Sequence, residues 1–479
     1  MSDASRTIVI YGGGFAGHLA AAACAAGLGE RTRIILITSQ QAEASDFLYG
    51  NITAPSAYDF FRSVGLDEPT LMLQTRSTFS FGTMFENWPS PSSSWMQTYH
   101  LPLPVIQGVP FQQYLTARGE PLEPYLVSAQ AARSGAFAHP PRDPNHPLSR
   151  AEYGYQFSVS ELSKTLSERN STSPIEVISA EVQSVQVQGD TIESILLDTG
   201  HEIEASFYID CSGQKRRLIQ ELGAAFQTDR KLRASRTAEK MEQTGAPYRS
   251  LTATENGWQA STPLQGGCET LSIEHFDASN DAGKLYQDMF VGKLDRAWVG
   301  NCVAIGHSAW CVEPLTAAPM MLLQRDIERV LELIPVSDAC RMEAREFNRR
   351  FEDDIAHANA FQRAMFEVER LPQAPYWQEA TLVPAGDNLQ RKLAQFKSRG
   401  IFVRFDLEPY NEEDWAILYN GMGLKPGRFD RQIDGVDKAN VERQLSGLKH
   451  AVAQVVSKMP PHHLYIANLK QYLEKQKNA

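Results

Sequence analysis

The sequence predicts an α/β fold in which a nucleotide-binding strand, turn and helix open a mixed-sheet unit and a mostly helical part closes the chain. Three observations predict it. A glycine turn, "YGGGFAG", joins an apolar strand to an alanine-rich helix between Thr7 and Gly29. Strand-like runs at Ile175–Val187, Thr191–Leu197 and Ile203–Ile209 precede Cys211. Beyond Leu315 helical periodicity dominates, clearest at Val441–Lys458 and Leu464–Lys475.

The glycine turn carries the most information. Thr7–Tyr11 reads as a short apolar strand, and Gly12, Gly14 and Gly17 form GxGxxG. A second apolar strand follows at Arg33–Thr38, which supplies the context this motif needs. Gly12 permits the tight turn, Gly14 lets the backbone approach a pyrophosphate, and Gly17 lets helix and strand pack closely. Phe15 and Ala16 open the helix whose amino terminus faces the phosphates. An acid usually ends the second strand and holds the adenosine ribose. Here that place is Thr38 or Ser39, whose hydroxyls bond a ribose more weakly. No second GxGxxG opens a strand-to-helix turn, so one dinucleotide site is expected.

The apolar stretch Ile8–Gly29 imitates a membrane span or signal peptide, but three successive glycines fit a turn better than a lipid-facing helix. Net charge is −11 with no basic cluster, which argues against nucleic acid and an anionic membrane surface as partners. The cysteines at 24, 211, 268, 302, 311 and 340 are scattered, with no CxxC and no Cys/His ligand spacing. Neither a metal site nor a disulfide framework is expected, and a reducing, cytoplasmic setting fits. "WPSPSSSW" and "AHPPRDPNHP" read as loops. A strand at Cys302–Ile305 runs into Gly306, then a short turn, then a helix with apolar residues at Leu322, Leu323, Ile327, Val330, Leu331 and Ile334.

These residues carry a resemblance. The chain resembles the flavin-dependent tryptophan halogenase family along almost its whole length. The family reads roughly NCVAIG…A…EPLEST where this chain has "NCVAIGHSAWCVEPLTAA". Further matches are "FYIDCSGQKRRLI", "ATENGWQ" before "PL", "FENW", "EFNRRFED" and "MPPHHLYI". The resemblance implies an FAD-binding, Rossmann-like fold of the flavin monooxygenase and halogenase type. Residues 1–335 would form the FAD-binding, substrate-facing unit, and 336–479 a mostly helical part packed on it. FAD would lie on the glycine turn under a mobile strap, matched by Tyr49–Pro55. Gly50, Thr53 and Pro55 agree with the strap, and Asn51 stands at its glutamate. Gly306, Pro314, Ala317 and Ala318 would add flavin contacts.

The resemblance also implies a reaction. Reduced FAD and oxygen oxidise halide to hypohalous acid, which reaches a lysine beside an electron-rich aromatic while a glutamate handles charge. At the lysine position this chain has Ser80, and no lysine precedes Lys164. Serine cannot hold a positive charge. Arg76, the nearest cation in sequence, is a poor nucleophile. The glutamate becomes Thr316. Backbone N–H groups that help bind halide fall at Ala318 and Pro319, and proline has none. The WxWxIP screen becomes "WQASTP", keeping Trp258 and Pro263 but placing Ala260 and Thr262 at the second tryptophan and the isoleucine. His307 follows Gly306, where a proton shuttle or a structural histidine are the alternatives.

The expected function is a halogenase-like FAD oxidoreductase, a monooxygenase acting on an indole-like or peptide-borne aromatic and unable to halogenate by the family route. Its reduced flavin would come from a separate flavin reductase. The alternatives are a true halogenase with relocated catalytic groups and a non-catalytic, flavin-binding or FAD-free partner protein.

Overall fold

The computed structural model describes residues 6–39, 45–278, 285–335, 341–367 and 372–477. Its first sheet runs in the spatial order Trp298–Val299, Cys302–Ala304, Phe207–Asp210, Arg6–Tyr11, Thr32–Thr38, Ile175–Ser179. All neighbours are parallel except the first pair. Helix Phe15–Gly27 packs on this sheet, and helix Ala318–Leu333 packs on that helix. A sheet covered by helices explains why Ile8, Val9, Ile10, Ile35 and Leu36 are continuously apolar and buried rather than alternating.

The second sheet has eight strands. Its order is Trp310–Cys311, Tyr286–Leu294, Phe226–Lys240, Gly267–His275, Gly257–Leu264, Arg249–Thr254, Gly82–Glu86, Ser94–Thr98. Its pairs are antiparallel except Arg249–Thr254 with Gly82–Glu86. Strand Gly257–Leu264 alternates cleanly, so Trp258, Ala260, Thr262 and Leu264 all face inward.

Two strand expectations are corrected. Ile175–Val187 is two strands, Ile175–Ser179 and Val182–Gln188, in different sheets. Ile203–Ile209 likewise divides into Glu202–Glu204 and Phe207–Asp210. The first pair leaves the parallel sheet for a small antiparallel one and the second pair returns from it, and two strand-like runs joined by two residues look like one long strand in sequence. The predicted helix from Val441 begins at Lys438, because Asp437 accepts from the amides of Ala439 and Asn440 as its cap. The other predicted helix spans His462–Lys477. "WPSPSSSW" is the turn between strands Gly82–Glu86 and Ser94–Thr98, and "AHPPRDPNHP" carries no regular element until Pro147–Arg150.

Neither hydrophobic core stops at residue 335. Phe347 packs on Trp298, which packs on Phe207. Trp377 packs on Trp88, within the core that also contains Trp258, Phe361 and Trp415. The five described cysteines are buried with no disulfide among them, and Cys340 lies outside the described residues. Among the described residues no helix is long and apolar enough to cross a membrane, and no group of three or more His, Cys, Asp or Glu could hold a metal.

One buried carboxylate ties the second sheet, the turn before Ala318 and the carboxy-terminal helices together. Glu313 accepts from the Arg230 guanidinium, from Trp258 Nε1 at 3.0 Å and from the Tyr376 hydroxyl at 2.6 Å. Its backbone carbonyl accepts from Gln362 Nε2 at 2.8 Å. Glu313 and Arg230 are both buried, so removing the carboxylate would leave a guanidinium without its counter-charge. Glu313→Ala is therefore expected to destabilise the fold by about 3–5 kcal/mol. Urea unfolding followed by tryptophan fluorescence measures this, and an unchanged midpoint would contradict it.

Candidate active site

The strand Arg6–Tyr11 ends in a turn that only glycine can make. Gly12 has φ +146°, and a Cβ there would lie 2.2 Å from the Cys211 carbonyl oxygen. A Cβ on Gly17 would lie 2.0 Å from the Gly12 carbonyl oxygen, so helix and strand meet backbone to backbone. Gly14 caps helix Phe15–Gly27 with no side-chain cap bond. This is the open amino terminus that a pyrophosphate requires.

In this structure the strap fills part of that place. The amide of Phe15 donates to the Asp46 carboxylate at 2.8 Å. Asp46 begins the short helix Asp46–Tyr49, whose last residue lies deep in the cleft. The Tyr49 ring stacks on His307 with centroids 3.9 Å apart, and its hydroxyl accepts from the His307 amide at 3.1 Å. A Cβ on Gly306 would lie 2.2 Å from that hydroxyl, so Gly306 makes room for the strap.

An acid stands beside the ribose-acid position, brought there by another strand. Ser39 donates to Glu181, and the Tyr11 hydroxyl donates to the same carboxylate at 2.9 Å. Glu181 follows strand Ile175–Ser179, which pairs in parallel with Thr32–Thr38 and ends beside it. Thr38 reaches the Ile178 carbonyl only at 3.5 Å. Sequence reading missed Glu181 because its proximity comes from strand order; an acid at the end of a neighbouring parallel strand was the available signal.

Asn51 and Thr53 are bonded internally. The Asn51 amide donates to the Phe157 carbonyl and to Glu269, each at 3.0 Å. Thr53 Oγ1 accepts from the Tyr155 amide at 2.9 Å. Gly154 belongs to this seam, since a Cβ on it would lie 2.2 Å from the Thr53 carbonyl oxygen. Gly50 packs against Pro314, with its Cβ position 3.1 Å from that ring.

His307 is wholly enclosed, and neither ring nitrogen has a hydrogen-bond partner. Burial, with the Arg216 charge second, pushes its pKa down to about 3. It is neutral near pH 7, which removes the basis for a proton shuttle there. Trp310 is buried, and its Nε1 donates to Asp326 at 2.7 Å.

The turn after Glu313 opens into a cavity of about 420 Å³, within the range of small-molecule sites. Thr316, Ala317 and Ala318 line it, facing the strap residues Ala54 and Pro55 and the side chains of Thr83 and Tyr410. Arg249 pins this turn from behind, donating to the carbonyls of Pro314 at 2.8 Å and Leu315 at 2.6 Å. The Ala318 amide donates to Thr316 Oγ1 at 3.2 Å, and Pro319 has no N–H, so neither of the two halide-binding positions offers an uncommitted donor.

Ser80 does not line the cavity. It is fully buried, and its hydroxyl exchanges hydrogen bonds of 3.2 Å with the carbonyl and amide of Gly82. Arg76 is tied to the Gln265 carbonyl at 3.0 Å. Trp258, bound to Glu313, is also absent from the cavity lining. No lysine is among the described residues that line it. Lys392 stands near the wall segment Pro409–Asp414, but its ammonium bonds Glu408 at 2.8 Å and the Val403 carbonyl.

A Rossmann glycine turn, a strap beside it and a cavity beside the turn at 313–318 define a flavoprotein of the Rossmann type. Comparison with known proteins gives the family. The chain belongs to the tryptophan halogenase family, whose profile matches residues 7–438. Among characterised relatives it is 22% identical to the tryptophan 7-halogenase RebH of Lentzea aerocolonigenes, over 97% of this chain and 99% of that one. It is 23% identical to the tryptophan 6-halogenase ThaL of Streptomyces albogriseolus, over 89% of this chain and 91% of that one. Among solved structures it superposes on BrvH, a flavin-dependent halogenase from Brevundimonas sp. BAL3, with a TM-score of 0.89 at 25% identity, covering 98% of this chain and all 100% of that one. Xcc4156, a flavin-dependent halogenase from Xanthomonas campestris, gives 0.87 at 24% identity, covering 97% and 98%. FAD is the cofactor of this family, with reduced flavin supplied by a separate reductase.

The glycine turn and Glu181 fit FAD, but the Asp46 carboxylate and the pyrophosphate compete for the same helix terminus. Asp46→Ala is therefore expected to tighten FAD binding by roughly tenfold, the size of one lost charge-assisted hydrogen bond in the competing state. Titration by flavin fluorescence quenching measures it, and an unchanged or weaker affinity would contradict the competition.

Proposed function

We propose that this chain is an FAD-dependent oxidoreductase that oxidises an aromatic substrate held in the cavity beside Thr316, transferring oxygen without the lysine route to halogenation. When bound, FAD reduced by a partner reductase supplies the electrons that activate oxygen. The protein's own part is to hold the ring against the turn and keep solvent out. One observation carries the reading: no ammonium faces the cavity among the described residues, because Ser80 is turned inward and Lys392 is committed to Glu408. Without an amine, hypohalous acid has no side chain on which to form a haloamine. The absence of an N–H at Pro319 and the commitment of the Ala318 amide to Thr316 support the same reading.

A second reading, halogenation with relocated groups, has its own support. The relatives named above are halogenases. The cavity also regains carboxylates that Thr316 lacks, from Glu152 and Asp414. Burial, with Glu413 and Glu152 adding to it, raises Asp414 to about 7, a value suited to proton transfer near neutrality.

The two readings differ in product. With reduced FAD, oxygen, excess bromide and indole, the first expects a product carrying one added oxygen and no bromine. Mass spectrometry decides: a brominated product that persists when a scavenger removes free hypobromous acid would overturn it.

A further inference from the structure

The cavity walls carry an excess of acceptors, and the positive charges near them are committed. Glu152 and Asp414 line the cavity from separate parts of the chain, one in a loop and the other in the first turn of helix Glu412–Gly421. They sense each other electrostatically, and burial raises both above the usual carboxylate range. Asp414 has one oxygen engaged by the Asn411 amide at 2.8 Å. Gln97 lines the same space and is more than nine-tenths buried. Its Nε2 donates to the Asp414 carbonyl at 3.2 Å, while its Oε1 is enclosed without a donor. A buried acceptor without a partner is costly unless a ligand satisfies it.

The cations do not offset this. Arg325 lines the cavity but is paired to Asp354. His100 is held neutral, with burial pushing its pKa down to about 4. Glu328 adds a further carboxylate at the exposed side of the lining. An incoming carboxylate would meet like charge in a partly desolvated space, with no uncommitted guanidinium or ammonium to receive it. An incoming ammonium would meet two carboxylates and a waiting amide oxygen.

We propose that this cavity selects aromatic substrates bearing a protonated amine and rejects those bearing a carboxylate, with Glu152, Asp414 and Gln97 as the selecting residues. The inference rests on the reading of the cavity as the aromatic site, and it names the class of aromatic that enters. Free amino acids are poor ligands by this account, because their carboxylate has no partner. An arylalkylamine, protonated near neutrality, is the fitting class.

Three probes of equal ring and different charge test it: tryptamine, indole and indole-3-propionate, titrated calorimetrically into the full chain with and without FAD. Tryptamine is expected to bind tightest and indole-3-propionate weakest, with a spread on the order of tenfold or more between them. Glu152→Gln combined with Asp414→Asn is expected to collapse that spread while indole affinity stays within about twofold. Asparagine can still accept from the Asn411 amide, so the helix cap survives. An equal or reversed order in the unaltered chain would overturn the charge selection even if the substituted chain failed to fold. Failure of all three probes to bind would instead overturn the aromatic-site reading itself and the inference with it.

Discussion

The position of the turn at 313–318 depends on one buried ion. Glu313 is the point at which Arg230 and Trp258 of the second sheet and Tyr376 of a carboxy-terminal helix meet on one carboxylate, while Gln362 of a second helix holds the Glu313 backbone carbonyl. A buried charge is tolerated only when its lone pairs are filled, and here they are filled by partners far apart in sequence. Arg249 completes the frame from the other side by holding two consecutive carbonyls of the same turn. The turn is thereby placed to within the tolerance of several short hydrogen bonds before any ligand is present. What its side chains then offer is a separate matter, and they offer little.

That separation is the main feature of this site. The frame of a flavin-dependent halogenase is kept down to Trp258, Gly306 and Pro314, while the groups at Ser80, Thr316, Ala318 and Pro319 present no ammonium, no carboxylate and no free amide. Carboxylates arrive from Glu152 and Asp414, and the cations at Arg249, Arg325 and Lys392 are held by carbonyls or acids. Arg249 stays protonated near neutrality although burial pushes its pKa down to about 10. On the proposed reading, a site so arranged binds and orients a donor-rich aromatic and has no side-chain ammonium among the described lining residues to carry an oxidised halogen.

Much of this was legible in the sequence, for physical reasons that can be named. GxGxxG between two apolar strands could be read because only glycine tolerates the backbone contacts that Gly12 and Gly17 make. The losses at Ser80, Thr316 and Pro319 could be read because residue type alone decides whether a group ionises or carries an N–H. Contributions that depend on strand order or on side-chain direction were not legible. Glu181 reaches Ser39 only because Ile175–Ser179 pairs in parallel beside Thr32–Thr38. Glu152 and Asp414 share a cavity although 261 residues separate them in sequence, from 414 − 152 less one. Tyr49 opens the segment read as a strap and Asp46 lies just before it, and their places follow from contacts with Phe15 and His307, which are distant in sequence. The division of two strand-like runs between sheets was hidden for the same reason.

The account makes the turn rigid, the strap yielding and the cavity free of any ammonium, so a crystal structure of the chain soaked with FAD tests it most directly. The expected result is Asp46 displaced from the Phe15 amide, Tyr49 moved off His307, and residues 313–318 unshifted with no lysine Nζ reaching the cavity. A lysine ammonium brought into that cavity on cofactor binding would contradict it.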